Sequence, residues 1–175
     1  MPIISHNANR NLSFDLMAVL HILGYLLSYR IMNNITISDL TLDDLLPHRG
    51  HMMLLDKVLE VDSKHALTLC RVKKSWPMAD ETGVHPLILI ELAAQTAGVC
   101  NGLDRIQTQG IDSDQMGWLV GVKKTEFFIN TLPFGSEIMV QAENTYNFEN
   151  LREVSCQLHL DNTLICTSLL QLFQA

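Results

Sequence analysis

The feature that most constrains this chain is an apolar stretch, VHPLILIELAAQTAGVC at residues 84–100, which predicts a helix without a polar face. Such a helix is normally buried on all sides. It nevertheless carries Glu91 and Gln95 one turn apart, and a buried carboxylate costs free energy unless it is paired or protonated. Pro86 suits the first helical position, and His85 lies directly before it. We therefore look for the functional site in this helix.

The length and charge of the chain favour one compact domain that does not bind nucleic acid. Its 175 residues can bury roughly two thirds of the unfolded surface, so no disulfide or metal is needed to stabilise it. The net charge is −7, and Lys and Arg are scattered rather than gathered on a basic face. The four cysteines form no CxxC pair and have no His at a zinc-ligand spacing. We expect small core cysteines, a reducing cytoplasmic location, no metal and no cofactor.

An apolar run of 14 residues, LMAVLHILGYLLSY, occupies residues 16–29. A membrane-spanning helix needs about 20 residues, and charged residues bracket this run, so a membrane anchor is not favoured. Two other interpretations remain: an amphipathic helix that docks on the body of the protein, or extra sequence upstream of the true start. We predict an N-terminal extension at residues 1–31 and a single domain at residues 32–175.

The pattern in the body predicts a short helix, two strands, the long helix and then four more strands. Thr41 can cap the short helix within residues 36–49. An apolar run fits a buried strand at 52–61, and strict alternation at 65–74 predicts a half-buried strand. The long helix should end near Asp104, followed by a polar connection and by strands at 116–129, 136–147, 151–160 and 163–173. One apolar helix beside a six-stranded antiparallel sheet is an α+β layout, and a wrapped sheet would explain the missing polar face.

Four sequence blocks resemble, in family order, the 3-hydroxyacyl-[acyl-carrier-protein] dehydratases of the FabA/FabZ kind. They are LLPHRGHMMLLDKVLEV (45–61), LILIELAAQTAGV (87–99), GWLVGVKKTEFF (117–128) and LPFGSEIMVQAE (132–143). The resemblance implies the hotdog fold, in which a long helix is wrapped by an antiparallel sheet. It also implies a dimer whose sheets join edge to edge.

The same resemblance implies dehydration of a 3-hydroxyacyl thioester to a trans-2-enoyl thioester. In the family a His removes the α-proton, and an acidic residue on the central helix of the other subunit helps the hydroxyl leave as water. A backbone N–H near the start of the helix would polarise the thioester carbonyl. The thioester is carried by acyl carrier protein or coenzyme A, and Lys123 and Lys124 could contact an acidic carrier.

The chain departs from the family at the catalytic histidine. Glu91 matches the helix acid, but the family's H-F-P-G histidine falls at Pro77, and the nearest candidate is His85. Three interpretations stay open. His85 has taken over as base; or the chain belongs to the divergent dehydratase-like group associated with aryl-polyene pathways, which its I-E-L-x-A-Q helix resembles more closely; or it has lost the reaction and serves as a partner subunit or acyl binder. Thioester hydrolysis is a further alternative on the same fold.

The candidate site residues are accordingly Glu91 and His85 for catalysis, and Gln95 and Gly121 for substrate binding. Burial should raise the pKa of Glu91 and leave it protonated often enough to act as a general acid. The alternatives are a structural carboxylate at Glu91, a helix-capping role for His85 and a buried, hydrogen-bonded Gln95. His48 is not expected to be catalytic. Arg49, which follows it, should hold the turn by hydrogen bonds to the backbone or to Asp56.

Overall fold

The computed structural model describes residues 39–174, and it consists of one long helix held against one sheet. Among these residues, no helix is both long and apolar enough to cross a bilayer. The predicted extension at residues 1–31 lies outside the described residues. The elements in chain order are α1 (Leu42–Leu45), a 3-10 helix (Gly50–Met52), β1 (Lys57–Val61), β2 (His65–Arg71), α2 (Ile88–Gln109), β3 (Gly117–Phe127), β4 (Glu137–Phe148), β5 (Leu151–Leu160) and β6 (Thr163–Gln174).

The sheet has the strand order β1-β2-β4-β5-β6-β3, and every neighbouring pair is antiparallel. Helix α2 contacts all six strands. Fourteen of its 22 residues are buried, which explains why its sequence has no polar face. The predicted α+β architecture, the hotdog fold, is therefore confirmed.

Most of the predicted elements are also confirmed. The four strands after the long helix begin and end within two residues of their predicted positions. Strand β2 buries Ala66, Thr68 and Cys70 and turns the alternate side chains outward, as the period-two pattern predicts. The four cysteines are all buried and unpaired. Burial raises the pKa of the Cys70, Cys100 and Cys156 thiols to about 12, so they behave as small core residues.

Two predictions about element boundaries are wrong. The apolar run at 52–61 is not one buried strand: β1 begins only at Lys57 and is largely exposed, because it lies at an edge of the sheet. Leu54 and Leu55 are nevertheless buried, from an irregular segment before β1. Helix α2 continues five residues beyond Asp104 and ends at Gln109; the next residue, Gly110, has a φ of 93°, which glycine adopts easily. The extra helical turn buries Arg105 and Ile106.

Candidate functional site

The site begins where α1 packs against the middle of α2. Two glycines of α2, Gly98 and Gly102, face α1. A Cβ atom at position 102 would overlap the backbone carbonyl of Leu45, so only glycine lets the two helices approach this closely. The close approach carries the segment that follows α1, residues 46–49, along the surface of α2.

Arg49 fixes this segment by hydrogen bonds to the backbone. Its guanidinium donates to the carbonyl oxygens of Leu46 at 2.5 Å, His48 at 2.7 Å and Asp43 at 3.0 Å. The prediction that Arg49 holds the turn through the backbone is confirmed; Asp56 pairs with Lys73 instead. The conformation of residues 46–49 is thus set by groups at both ends of α1.

The fixed segment brings His48 against Glu91 on α2. Nε2 of His48 lies 3.2 Å from Oε1 of Glu91, and the two side chains are 29% and 31% exposed. Nδ1 of His48 is buried and has no hydrogen-bond partner within the described residues. An imidazole and a carboxylate at hydrogen-bond distance, both half-buried, can exchange a proton with each other and with a bound molecule.

Gln95 connects this pair to the irregular segment before β1. Its amide nitrogen donates to Glu91 Oε1 at 2.9 Å and to the carbonyl of Met52 at 2.7 Å, and its oxygen accepts from the N–H of Leu54 at 3.0 Å. All of its hydrogen-bonding groups are thus used within the protein, and its side chain is fully buried. Gln95 orients the Glu91 carboxylate and holds residues 52–54 in place.

The pKa of Glu91 was predicted to be raised, but in the described chain it is lowered. The hydrogen bond from His48 lowers the pKa of this carboxyl below its ordinary value, and the Gln95 amide lowers it further. Burial acts in the opposite direction but is outweighed. Glu91 is therefore ionised at neutral pH, which suits a proton acceptor better than a proton donor.

His48 and Glu91 open into a cavity of about 250 Å³. The cavity runs along one face of α2 and is closed by the segment after α1, the start of β3 and the end of β6. Its lining includes Leu46, Gly98, Arg105, Trp118 and Phe173. Narrow apolar cavities with a few polar groups are typical of sites for small ligands.

The other two predicted site residues lie elsewhere in the described chain. His85 is exposed and does not line this cavity, and its Nδ1 accepts from the N–H of Leu87 at the start of α2. Gly121 lies in β3 opposite Gln171 of β6, next to an irregularity of the strand, and also outside the cavity. The structure thus brings Glu91, Gln95 and His48 together, and it leaves His85 and Gly121 apart from them.

The start of α2 offers no free backbone donor for a thioester carbonyl within the described residues. The N–H of Leu87 is bonded to the His85 ring, and those of Ile88, Leu89 and Ile90 are bonded to carbonyls of residues 85–87. The electrophilic donor implied by the family resemblance therefore has to come from another element. His48 is the residue that the sequence analysis set aside, although it belongs to the LPHR block that resembles the dehydratases.

Comparison with known proteins agrees with this architecture. The sequence model of one family, described as ApeP-like and as ApeP dehydratase, matches residues 40–175. The chain is also similar to a curated 3-hydroxyacyl-[acyl-carrier-protein] dehydratase FabZ of Streptococcus uberis. The two are 27% identical over 134 residues, which are 74% of this chain and 91% of that protein.

Solved structures share the fold. The dehydratase heterocomplex ApeI:P from Xenorhabdus doucetiae contains a chain that is 24% identical, with a TM-score of 0.70 over 78% of this chain and 91% of that one. A hypothetical thioesterase with coenzyme A from Streptococcus pneumoniae is 11% identical, with a TM-score of 0.51 over 67% and 83% of the two chains. At these identities the likeness concerns the fold alone.

Proposed function

Because the chain belongs to the ApeP-like dehydratase family, we propose that it removes water from a 3-hydroxyacyl thioester and gives a trans-2-enoyl thioester. The observation that carries this proposal is the His48–Glu91 contact at the mouth of an apolar cavity. The thioester is carried by acyl carrier protein or coenzyme A, and the reaction belongs to fatty-acid-like or polyene lipid biosynthesis. The FabZ relative, whose name states that chemistry, supports the choice of substrate.

The pair can supply both proton transfers of the elimination. The Glu91 carboxylate, which its two donors keep ionised, takes the proton from C2. The C2–H electrons form the C2–C3 double bond as the C3–O bond breaks, and His48 in its protonated form gives the proton with which the hydroxyl leaves as water. The proton then passes from Glu91 to His48 across 3.2 Å, which restores the starting state. This arrangement reverses the role of general acid that the sequence suggested for Glu91.

His85 remains a competing proposal for the catalytic histidine. The family resemblance implies that the histidine and the helix acid come from different subunits, so a dimer could bring His85 of one chain towards Glu91 of the other. We favour His48 because it already contacts Glu91 within one chain, whereas Nδ1 of His85 is engaged by the backbone of Leu87.

The edge of the sheet at β3 supports a dimer, either of two identical chains or with a second hotdog protein. Among residues 39–174, β3 pairs only with β6, so its other edge has no partner strand in that part of the chain. Several large apolar side chains of this strand are exposed: Trp118, Leu119, Val120, Val122 and Phe127. An open strand with apolar side chains is normally covered by another chain.

Product analysis tests the proposed reaction. Purified protein is incubated with 3-hydroxyacyl-pantetheine and with 3-hydroxyacyl carrier protein, and the products are separated by mass. We expect an enoyl thioester lighter than the substrate by one water, and a loss of this product in Glu91→Gln. Absence of turnover on either thioester, or equal turnover by the Glu91→Gln variant, would exclude the proposed chemistry.

Two other functions are distinguished by the same samples. A thioesterase would release free thiol instead of an enoyl product; one structural neighbour is described as a hypothetical thioesterase. A non-catalytic partner subunit would be inactive alone and would activate a second dehydratase when the two are co-expressed. The ApeI:P heterocomplex and the displaced family histidine favour this candidate over the thioesterase.

We also propose that the protein works in the reducing cytoplasm. Its four cysteines are buried and unpaired, which suits a compartment where disulfides do not form.

A further inference from the structure

The cavity that begins at Glu91 ends at a buried arginine. The face of α2 that lines it extends from Glu91 to Arg105, which is 14 residues or about 21 Å of helix. Arg105 is 2% exposed, yet it takes part in no ion pair among residues 39–174. A buried guanidinium without an ion pair is costly: burial lowers the pKa of Arg105, and the nearby Asp114 and Asp44 carboxylates offset this only in part.

The hydrogen bonds of Arg105 leave two of its donors unused. One terminal nitrogen donates to the carbonyl and hydroxyl oxygens of Ser113 at 2.8 and 2.6 Å, and the other donates to the carbonyl of Asp44 at 2.6 Å. A guanidinium has five N–H groups, so Nε–H and one terminal N–H have no partner within the described residues.

Asn101, one turn earlier on the same face of α2, adds an amide nitrogen with two more unused N–H groups. Its oxygen accepts from the amide of Asn144 at 3.2 Å, while its own amide nitrogen makes no hydrogen bond within the described residues. Among the described residues, N–H donors of Arg105 and Asn101 are therefore left unused at this end of the cavity, beside the positive charge of the guanidinium.

We propose that the cavity accepts an acyl chain whose far end carries an oxygen, either a carboxylate or a hydroxyl, and that Arg105 and Asn101 bind this oxygen. The proposal rests on the proposed function, since it assigns the reacting end of the same chain to Glu91. The apolar walls between the two ends bind the hydrocarbon, and the donors at Arg105 select against a chain that ends in a methyl group. A methyl group there would cover these donors without giving them a partner.

The test measures binding rather than turnover. The probes are saturated acyl-pantetheine thioesters of matched length that end in methyl, hydroxyl or carboxylate; they lack the 3-hydroxyl group and cannot be dehydrated. Binding is followed by the fluorescence of Trp118, which lines the cavity. We expect the oxygen-terminated probes to bind at least about tenfold more tightly than the methyl-terminated probe, because their oxygen accepts charge-assisted hydrogen bonds. Comparison of the carboxylate with the hydroxyl shows whether the charge is needed.

The variants Arg105→Met and Asn101→Leu should reduce this preference to within about threefold. Arg152→Met is the matched control, since Arg152 is paired with Asp104 at 2.6 Å and does not line the cavity. It should keep the wild-type preference. Should Arg105→Met fail to fold, the wild-type series and Asn101→Leu still decide.

Three outcomes overturn the proposal. Equal binding of all three probes to the wild type would mean that the tail is not recognised. If Arg105→Met or Asn101→Leu weakens the binding of all three probes equally, the Arg105 end of the cavity is structural or binds the pantetheine. Failure of every probe to bind would overturn the proposed function as well, whereas tail selection without any turnover would overturn the proposed function alone.

Discussion

Nε2 of His48 lies 3.2 Å from Oε1 of Glu91, although the two residues belong to elements that are far apart in the sequence. The contact depends on three supporting features. Gly102 lets α1 approach α2, Arg49 fixes the segment after α1, and Gln95 orients the carboxylate.

The close packing of α1 on α2 predicts an asymmetry between two glycines. Gly102→Ala should lower the free energy of unfolding by about 1–3 kcal/mol, because the new methyl overlaps the backbone carbonyl of Leu45. Gly98→Ala is the control: its methyl meets the end of the Leu46 side chain, which can move, so the cost should be smaller. Urea unfolding of both variants measures this; an equal effect would contradict the backbone contact.

Gln95→Leu should be strongly destabilising despite the similar size of the two side chains. It leaves the Met52 carbonyl and the Leu54 N–H without their partner, at about 1–3 kcal/mol for each group that stays buried and unpaired. Gln157→Leu, at an exposed position of β5, is the control and should have little effect. If the two variants unfold at the same urea concentration, the hydrogen bonds from Gln95 to residues 52–54 are not important for stability.

The lowered pKa of Glu91 predicts a loss of stability in acid. A carboxyl whose pKa is lower in the folded than in the unfolded state stabilises the fold fully above its unfolded pKa, whose ordinary value is 4.5. That stabilisation is lost as the pH falls from 4.5 through the folded pKa. The urea midpoint of the wild type should therefore decrease more between pH 6 and about pH 3 than that of Glu91→Gln. Parallel curves for the two proteins would contradict the direction of the shift.

The buried cysteines should be unreactive in the folded protein. Burial raises the pKa of Cys70, Cys100 and Cys156 to about 12, and only the thiolate reacts rapidly with thiol reagents. We expect slow labelling by a disulfide reagent at pH 8 and rapid labelling of four thiols in denaturant. Rapid labelling of the native protein would mean that at least one of them is accessible.

Much of this fold could be predicted from the sequence, because its signals are local. The apolar face all around α2 predicted its burial, and the short β-branched runs predicted β3 to β6 almost to the residue. The carboxylate and amide of Glu91 and Gln95 stood out because polar groups are rare in such a helix.

The parts that could not be predicted depend on tertiary contacts. The segment around Leu54 has the composition of a strand, but Gln95 holds it in an irregular conformation. The continuation of α2 follows from burial of Arg105 in a stretch that is polar by composition. Likewise, the pKa of Glu91 is set by His48, whose contact with the helix results from the packing of α1 and does not follow from the LPHR block alone.

The most direct test of the His48–Glu91 pair is a double-mutant cycle on kcat/KM for a 3-hydroxyacyl-pantetheine thioester. We expect His48→Asn and Glu91→Gln each to lose about 10²–10⁴-fold, and the double variant to lose little more than the worse single variant, because the two groups act as a unit. His85→Asn should stay within about threefold of the wild type. Full activity in His48→Asn together with a large loss in His85→Asn would contradict the account and make His85 the catalytic histidine.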